Sequence, residues 1–355
     1  MVEDSTMNST QQNPMGTDGF EFIEFAEQDS DILDQIFTQL GFRLIAHHRS
    51  KDVLLYQQGN INFIINHEPK SFAQAFVKVH GPSVCAFGIR VKNAAQAYKR
   101  ALKLGAKPYH SQVGPMEINL PAIYGIGNSL IYLIDHFSTQ SIYDVDFIPC
   151  GNWNPEGFGL NQIDHITHNV HQGRMDKWAE FYHKLFNFTE IRYFDIHGAK
   201  TGLKSRAMVS PCGKIRIPIN EPSDNKSQIQ EYLEAYHGEG IQHIALSTDD
   251  IYSSLENIQS LGMQFLSVPD TYYDMIENRI PDHGEDIERM HELKILIDGN
   301  PQKGMGILLQ IFTNNQIGPI FFEIIQRKGN DGFGEGNFQA LFEAIERDQM
   351  QRGVI

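Results

Sequence analysis

The chain has 355 residues, 41% of them hydrophobic and 21% charged, which suits soluble globular folding and is long enough for more than one core. Its formal charge of −15 is the wrong sign for nucleic acid or an anionic membrane surface, and no apolar run reaches membrane-spanning length. Three widely spaced cysteines, Cys85, Cys150 and Cys212, cannot make a disulfide framework and point to a reducing cytoplasm.

Residues 1–19 are polar, without a basic start or an apolar stretch, and are expected to form a flexible tail rather than a signal peptide. From Phe20 one plan recurs four times: a strand, an amphipathic helix, a stop, then more strands. The helices are expected over Asp31–Leu40, Asn93–Leu104, Met175–Phe186 and Asp250–Leu261. Each carries an apolar stripe at helical spacing, such as Trp178, Phe181, Tyr182 and Leu185 in the third. Their stops are Gly41, Gly105, Asn187 and Gly262, the residue types that accept left-handed backbone.

Counting back from each stop reaches Phe22, Phe87, His165 and His243 in the preceding strands. The second half thus carries histidines where the first carries phenylalanines, which suggests one scaffold half and one working half. The loop IPCGNWNP separates a unit over 20–150 from one over 158–355. The glycines of YGIGNSL (Tyr124–Leu130) lack both the GxGxxG spacing and a following helix, so no nucleotide site is expected there.

Two hairpins flank the chemistry. In Gly306–Arg327, a turn centred between Gln316 and Ile317 sets Gln310 opposite Glu323 and Phe312 opposite Phe321. Phe321, Glu323 and Ile325 then share one apolar face, where a carboxylate calls for a cation; a solvated edge-strand glutamate is the plain alternative. In the other, Leu203–Ser210 and Lys214–Asn220 flank Pro211-Cys212-Gly213 and set Ser205 opposite Asn220. That hydroxyl and amide are either a cross-strand pair or two polar fingers aimed at a substrate. Gln228 and Gln242 add further amides.

His165, His243 and Glu323 together have the composition of the facial triad of non-haem Fe(II) oxygenases. Any one strand histidine is as well a hydrogen-bonded core residue; matched positions in two copies of a module make the pair informative. His168 faces away from His165, and His171, His183 and His197 lack repeat partners and are assigned structural roles.

Six blocks, PINEP (Pro218–Pro222), KSQIQEYLE (Lys226–Glu234), GIQHIAL (Gly240–Leu246), LLQIFT (Leu308–Thr313), FFEIIQR (Phe321–Arg327) and GFGEGNF (Gly332–Phe338), resemble the signatures of the 4-hydroxyphenylpyruvate dioxygenase family. The likeness runs in order from about Phe20 to the C-terminus. It implies an α+β fold: tandem βαβββ modules forming two open barrel-like domains of the vicinal oxygen chelate (glyoxalase/bleomycin resistance/dioxygenase) type.

The resemblance implies Fe(II) held by His165, His243 and Glu323. It implies Asn220, Gln228, Gln242 and Gln310 as the catalytic amides around the substrate. Ser205, Phe312, Phe321, Phe333, Asn337 and Phe338 are further implied substrate contacts, and Phe22 and Phe87 mark a half without a metal. The reaction implied is conversion of 4-hydroxyphenylpyruvate and O2 to homogentisate and CO2 in tyrosine and phenylalanine breakdown, by a homo-oligomer, a dimer or tetramer. The segment from Asn337, with Phe338, Leu341, Phe342 and Ile345 on one stripe, is expected to form a helix that closes the site, hinged at Gly332, Gly334 and Gly336.

Three rival functions share parts of this pattern. A hydroxymandelate synthase uses the same substrate, and the bulk of Phe338 speaks against it. An extradiol ring-cleaving dioxygenase leaves the amide set unexplained. A non-catalytic ligand-binding protein of the same fold predicts a broken triad.

Overall fold

Two mixed β-sheets organise the computed structural model, which describes residues 12–354 apart from 29, 112, 115, 138–139, 198–201, 335, 338–348 and 351. The first copy of the repeat runs from β1 (Thr17–Ala26) through a helix, Ser30–Gln39, to β2 (Arg43–His48), β3 (Val53–Gln58) and β4 (Ile61–Asn66). The second has β5 (Ser83–Val91), a helix at Ala94–Lys103, then β6 (Pro108–Tyr109), β7 (Ala122–Tyr124) and β8 (Leu130–Ile134); β9 (Phe147–Pro149) pairs beside β2. The third has β10 (Leu160–Asn169), the helix Met175–Phe186, then β11 (Thr189–His197), β12 (Gly202–Val209) and β13 (Arg216–Pro222). The fourth has β14 (Gly240–Thr248), the helix Ile251–Ser260, then β15 (Leu296–Gly299), β16 (Ile307–Phe312) and β17 (Phe321–Lys328).

The sheet orders are β6-β7-β8-β5-β1-β4-β3-β2-β9 and β11-β12-β13-β10-β14-β17-β16-β15. In both, the leading strands of two copies pair antiparallel at the centre, β1 with β5 and β10 with β14. Each leading strand also runs parallel to the last strand of its own copy. This symmetry is what brings corresponding residues of the third and fourth copies together.

The helix stops act as their residue types require. Gly41, Gly105, Asn187 and Gly262 all take positive φ, between 60° and 94°. Asn93 and Asp250 cap their helices by accepting from the backbone N–H three residues on. The helices pack their stripes on the sheets, and one hydrophobic core runs through both halves. Phe322 of β17 joins them, its ring 6.5 Å from Phe25 and 6.1 Å from Phe63. Gly127 of YGIGNSL serves the same junction: its φ is 56°, and a Cβ there would sit 1.9 Å from the Glu239 carbonyl oxygen.

β1 begins inside the stretch assigned to a tail, and Met15 is buried while Asn13 hydrogen-bonds with Thr17. The Gly306–Arg327 hairpin differs in register. Its turn lies at Ile317–Ile320, where Gly318 takes positive φ ahead of Pro319, so Phe312 pairs with Glu323 and Gln310 with Ile325. The asparagines favour a turn two residues earlier, but Gly318-Pro319 takes the corner. A shift of two preserves the faces, so Gln310, Phe312, Phe321 and Glu323 still point the same way.

The equivalence of Phe87 with His243 is also corrected. Phe22 opposes Gly88, and Phe87 opposes Ile23, so the two rings lie on opposite faces. A row across the first sheet runs Phe22, Gly88, Tyr132; the matching row in the second is His165, Ala245, Glu323. The counterpart of His243 is therefore one residue before Phe87, at Ala86. Gly88 leaves room for the Phe22 ring, which lies 5.7 Å from Tyr132. Apolar packing fills the place that the triad holds in the second sheet.

Candidate metal centre

His165 on β10, His243 on β14 and Glu323 on β17 converge, each less than 5% exposed, with one donor atom from each lying within 4.8 Å of the others. Glu323 Oε2 is 3.2 Å from His165 Nε2 and 3.5 Å from His243 Nε2. Both imidazoles thus present Nε2 to the carboxylate.

Their orientation comes from two strand irregularities. β10 carries an extra residue at Asp164 relative to β14, and β14 carries one at Gln242 relative to β10. Neighbours on a regular strand point to opposite faces, whereas a bulge re-aims one of them. Asp164 Oδ1 consequently lies 2.8 Å from His165 Nδ1, and Gln242 Oε1 lies 3.1 Å from His243 Nδ1. Engaging Nδ1 leaves Nε2 for a metal, the usual outer-shell arrangement of histidine ligands.

Asp164 is itself gripped: Arg327 donates from Nε and Nη2 to its two oxygens at 2.7 and 2.8 Å. Burial alone would raise the Asp164 carboxyl, but Arg327 and His165 hold it well below the usual carboxylate range. Burial likewise opposes charge on Glu323, yet the His165 charge and hydrogen bonds from both histidines bring it down to about 2. Burial lowers His243, while for His165 the two neighbouring carboxylates overcome burial and raise it.

Further polar groups lie on the strands of the same sheet and on the segment after it. Gln310 Nε2 donates to Glu323 Oε1 at 2.9 Å, and Asn337 Nδ2 donates to Gln310 Oε1 at 3.1 Å. Ser205 faces Asn220 across β12 and β13, and Asn220 faces Asn169 across β13 and β10. Asn220 Nδ2 donates to Asn169 Oδ1 at 3.3 Å, while Ser205 Oγ and Asn169 Nδ2 are buried without a partner among the described residues. Thr167 Oγ1 lies 2.9 Å from His243 Nε2. Gln228 opens the helix Gln228–Ala235, half-buried, with no hydrogen bond to the triad or its amides.

Aromatic rings wall the site. Phe321 stacks on His243 at 4.8 Å, Phe312 stands 6.1 Å from Phe321, and Phe333 meets His165 edge-on at 5.4 Å. Phe338 and the helix expected after it lie outside the described residues. His168 points away as expected, bonded through Nε2 to Tyr182 OH at 2.7 Å. Sequence reasoning missed Asp164, Thr167, Asn169 and Arg327. The placement of Asp164 and Gln242 directly before corresponding histidines was the available signal.

The repeat defines a protein built from modules of the glyoxalase and dioxygenase type, with a buried triad whose side chains could hold a metal ion. Residues 11–148 match the family described as "Hydroxyphenylpyruvate dioxygenase, HPPD, N-terminal", and 162–282 match "Glyoxalase/Bleomycin resistance protein/Dioxygenase superfamily". The chain is 57% identical to hemolysin VllY of Vibrio vulnificus, and 56% identical to 4-hydroxyphenylpyruvate dioxygenase of Pseudomonas aeruginosa; each comparison covers 97% of this chain and 98% of the relative. A solved mutant of 4-hydroxymandelate synthase from Streptomyces coelicolor superposes with a TM-score of 0.82 at 25% identity, over 94% of this chain and 100% of its own. The chain belongs to the 4-hydroxyphenylpyruvate dioxygenase family. Among the described residues, no helix is long and apolar enough to cross a membrane.

Proposed function

We propose that the chain is an Fe(II)-dependent dioxygenase that converts 4-hydroxyphenylpyruvate and O2 to homogentisate and CO2. The observation that carries the reading is the buried triad of His165, His243 and Glu323, with both histidines turned by bonds at Nδ1 and one ligand atom from each residue within 4.8 Å of the others. Two imidazoles and a carboxylate are the donor set of keto-acid-using iron oxygenases, and they leave coordination positions open. When bound, the iron supplies the one-electron chemistry that lets O2 react with a closed-shell substrate.

The chain's own residues bind, orient and keep dry. Asp164 and Gln242 hold the imidazoles in the productive tautomer, and Gln310 occupies Glu323 Oε1 and leaves Oε2 facing the histidines. Ser205 Oγ and Asn169 Nδ2, with no partners of their own, are ready hydrogen-bonding groups for a polar substrate. The rings of Phe312, Phe321 and Phe333 form an apolar wall for an aromatic ring and exclude water from an oxidising centre. Because the substrate brings its own keto acid, a separate 2-oxoglutarate is unnecessary. Its carboxylate leaves as CO2, one oxygen atom of O2 remains in the new carboxylate and the other hydroxylates the ring as the side chain shifts.

Oxygen uptake by Fe(II)-loaded protein tests this directly. Uptake should begin on addition of 4-hydroxyphenylpyruvate alone, with CO2 released in equal amount. A requirement for 2-oxoglutarate would overturn the reading.

A further inference from the structure

A hydrogen-bonded line leads away from the triad into the segment between the helix Ile251–Ser260 and β15. Beyond Gln310 and Asn337, it reaches Tyr272 on the short helix Asp270–Asp274 and Arg279 at the end of Ile276–Arg279. Tyr272 OH lies 2.8 Å from Asn337 Oδ1, and Arg279 Nη2 lies 3.4 Å from the same oxygen. Glu323, Gln310 and Asn337 are each at most 2% exposed, so solvent does not compete for these bonds.

The line has a direction. A primary amide can face either way, whereas a guanidinium can only donate. Arg279 Nη2 donates to the Tyr272 hydroxyl oxygen at 2.6 Å, and the Ile297 N–H donates to it at 2.8 Å. With both acceptor positions filled, the hydroxyl has only its own proton to give, and it turns that proton to Asn337 Oδ1, which at 2.8 Å is nearer than the Ile297 carbonyl oxygen at 3.1 Å, itself already accepting from Arg279 Nη2 at 2.6 Å. That points Asn337 Nδ2 at Gln310 Oε1 and Gln310 Nε2 at Glu323 Oε1. Glu323 Oε2 is the oxygen left facing the histidines.

We propose that Arg279 and Tyr272 are positioning residues: they set the direction of both amides and so keep Glu323 a one-oxygen ligand. The proposal rests on the reading of the triad as a metal site. It makes a prediction that packing alone does not. Asn337→Asp keeps the size of the side chain but cannot donate, so Gln310 turns its NH2 toward the new carboxylate and its oxygen toward Glu323. Asn337→Ala removes the partner without imposing the wrong direction. The aspartate variant is therefore the worse of the two.

Titration of the metal-stripped protein with Co(II) alone, followed by visible absorption, is the test. Wild type should bind; Tyr272→Phe and Arg279→Met should bind about 10-fold more weakly, the scale of losing an outer-shell partner. Arg279→Lys, also only a donor, should lie closer to wild type than Arg279→Met, and Asn337→Asp should bind more weakly than Asn337→Ala. Thermal melting of each metal-free variant identifies any that fails to fold, and Tyr272→Phe, which removes a single hydroxyl, then carries the comparison. Wild-type affinity in Tyr272→Phe together with Asn337→Asp no weaker than Asn337→Ala would overturn the proposal. A wild type that takes up no Co(II) would instead overturn the metal reading beneath it.

Discussion

Asp164 and His165 are consecutive residues on one strand, yet their side chains meet, Oδ1 2.8 Å from Nδ1. The extra residue in β10 makes this possible, and Gln242 and His243 repeat the relationship on β14. Asp164→Asn should weaken metal binding by about 10–100-fold, because it exposes His165 to the wrong tautomer and removes the charge that Arg327 grips in two places. Metal affinity by calorimetry checks this; an unchanged affinity would make the contact merely local.

Glu323 supplies the only carboxylate of the triad and is 2% exposed. Glu323→Ala should abolish turnover and weaken iron binding, leaving two imidazoles to hold a dication alone. Full activity in that variant, measured as oxygen uptake, would remove Glu323 from the site.

His168 tests the apolar side of the same strand. Burial lowers it from 6.5 to about 3, so the folded chain keeps it neutral while the unfolded chain protonates it. Below pH 6.5 the unfolded state binds more protons, and stability falls with pH until about pH 3, by on the order of a few kcal/mol. Urea unfolding of wild type and His168→Gln over that window should show a shallower pH slope in the variant. Equal slopes would place the acid sensitivity elsewhere.

Phe322 joins the two halves through Phe25 and Phe63. Phe322→Ala should cost about 3–5 kcal/mol, as for other fully buried phenylalanines, and lower the urea midpoint of both halves together. A loss confined to one half would show that the core is not continuous.

Much of this was legible in the sequence, for a physical reason: repetition. Gly41, Gly105, Asn187 and Gly262 mark equivalent helix ends, and that equivalence points to His165 and His243. Ser205 opposite Asn220 followed from a short turn with one clear centre. The second hairpin was harder, because Asn314-Asn315 and Gly318-Pro319 are competing turn formers and only packing chose between them. The bulges at Asp164 and Gln242 leave no mark in side-chain periodicity and hid the partners of both histidines. Phe87 fell one residue off because it lies 18 residues before Gly105, whereas His243 lies 19 before Gly262. Arg279 and Tyr272 lie outside the repeated strands, where no equivalence could point to them.

Product identification tests the central claim most directly. The metal-stripped protein is reconstituted anaerobically with Fe(II), supplied with 4-hydroxyphenylpyruvate and O2, and the aromatic product is separated by chromatography. Homogentisate is the result the account predicts. Hydroxymandelate, or no product from protein that holds its iron, would contradict it.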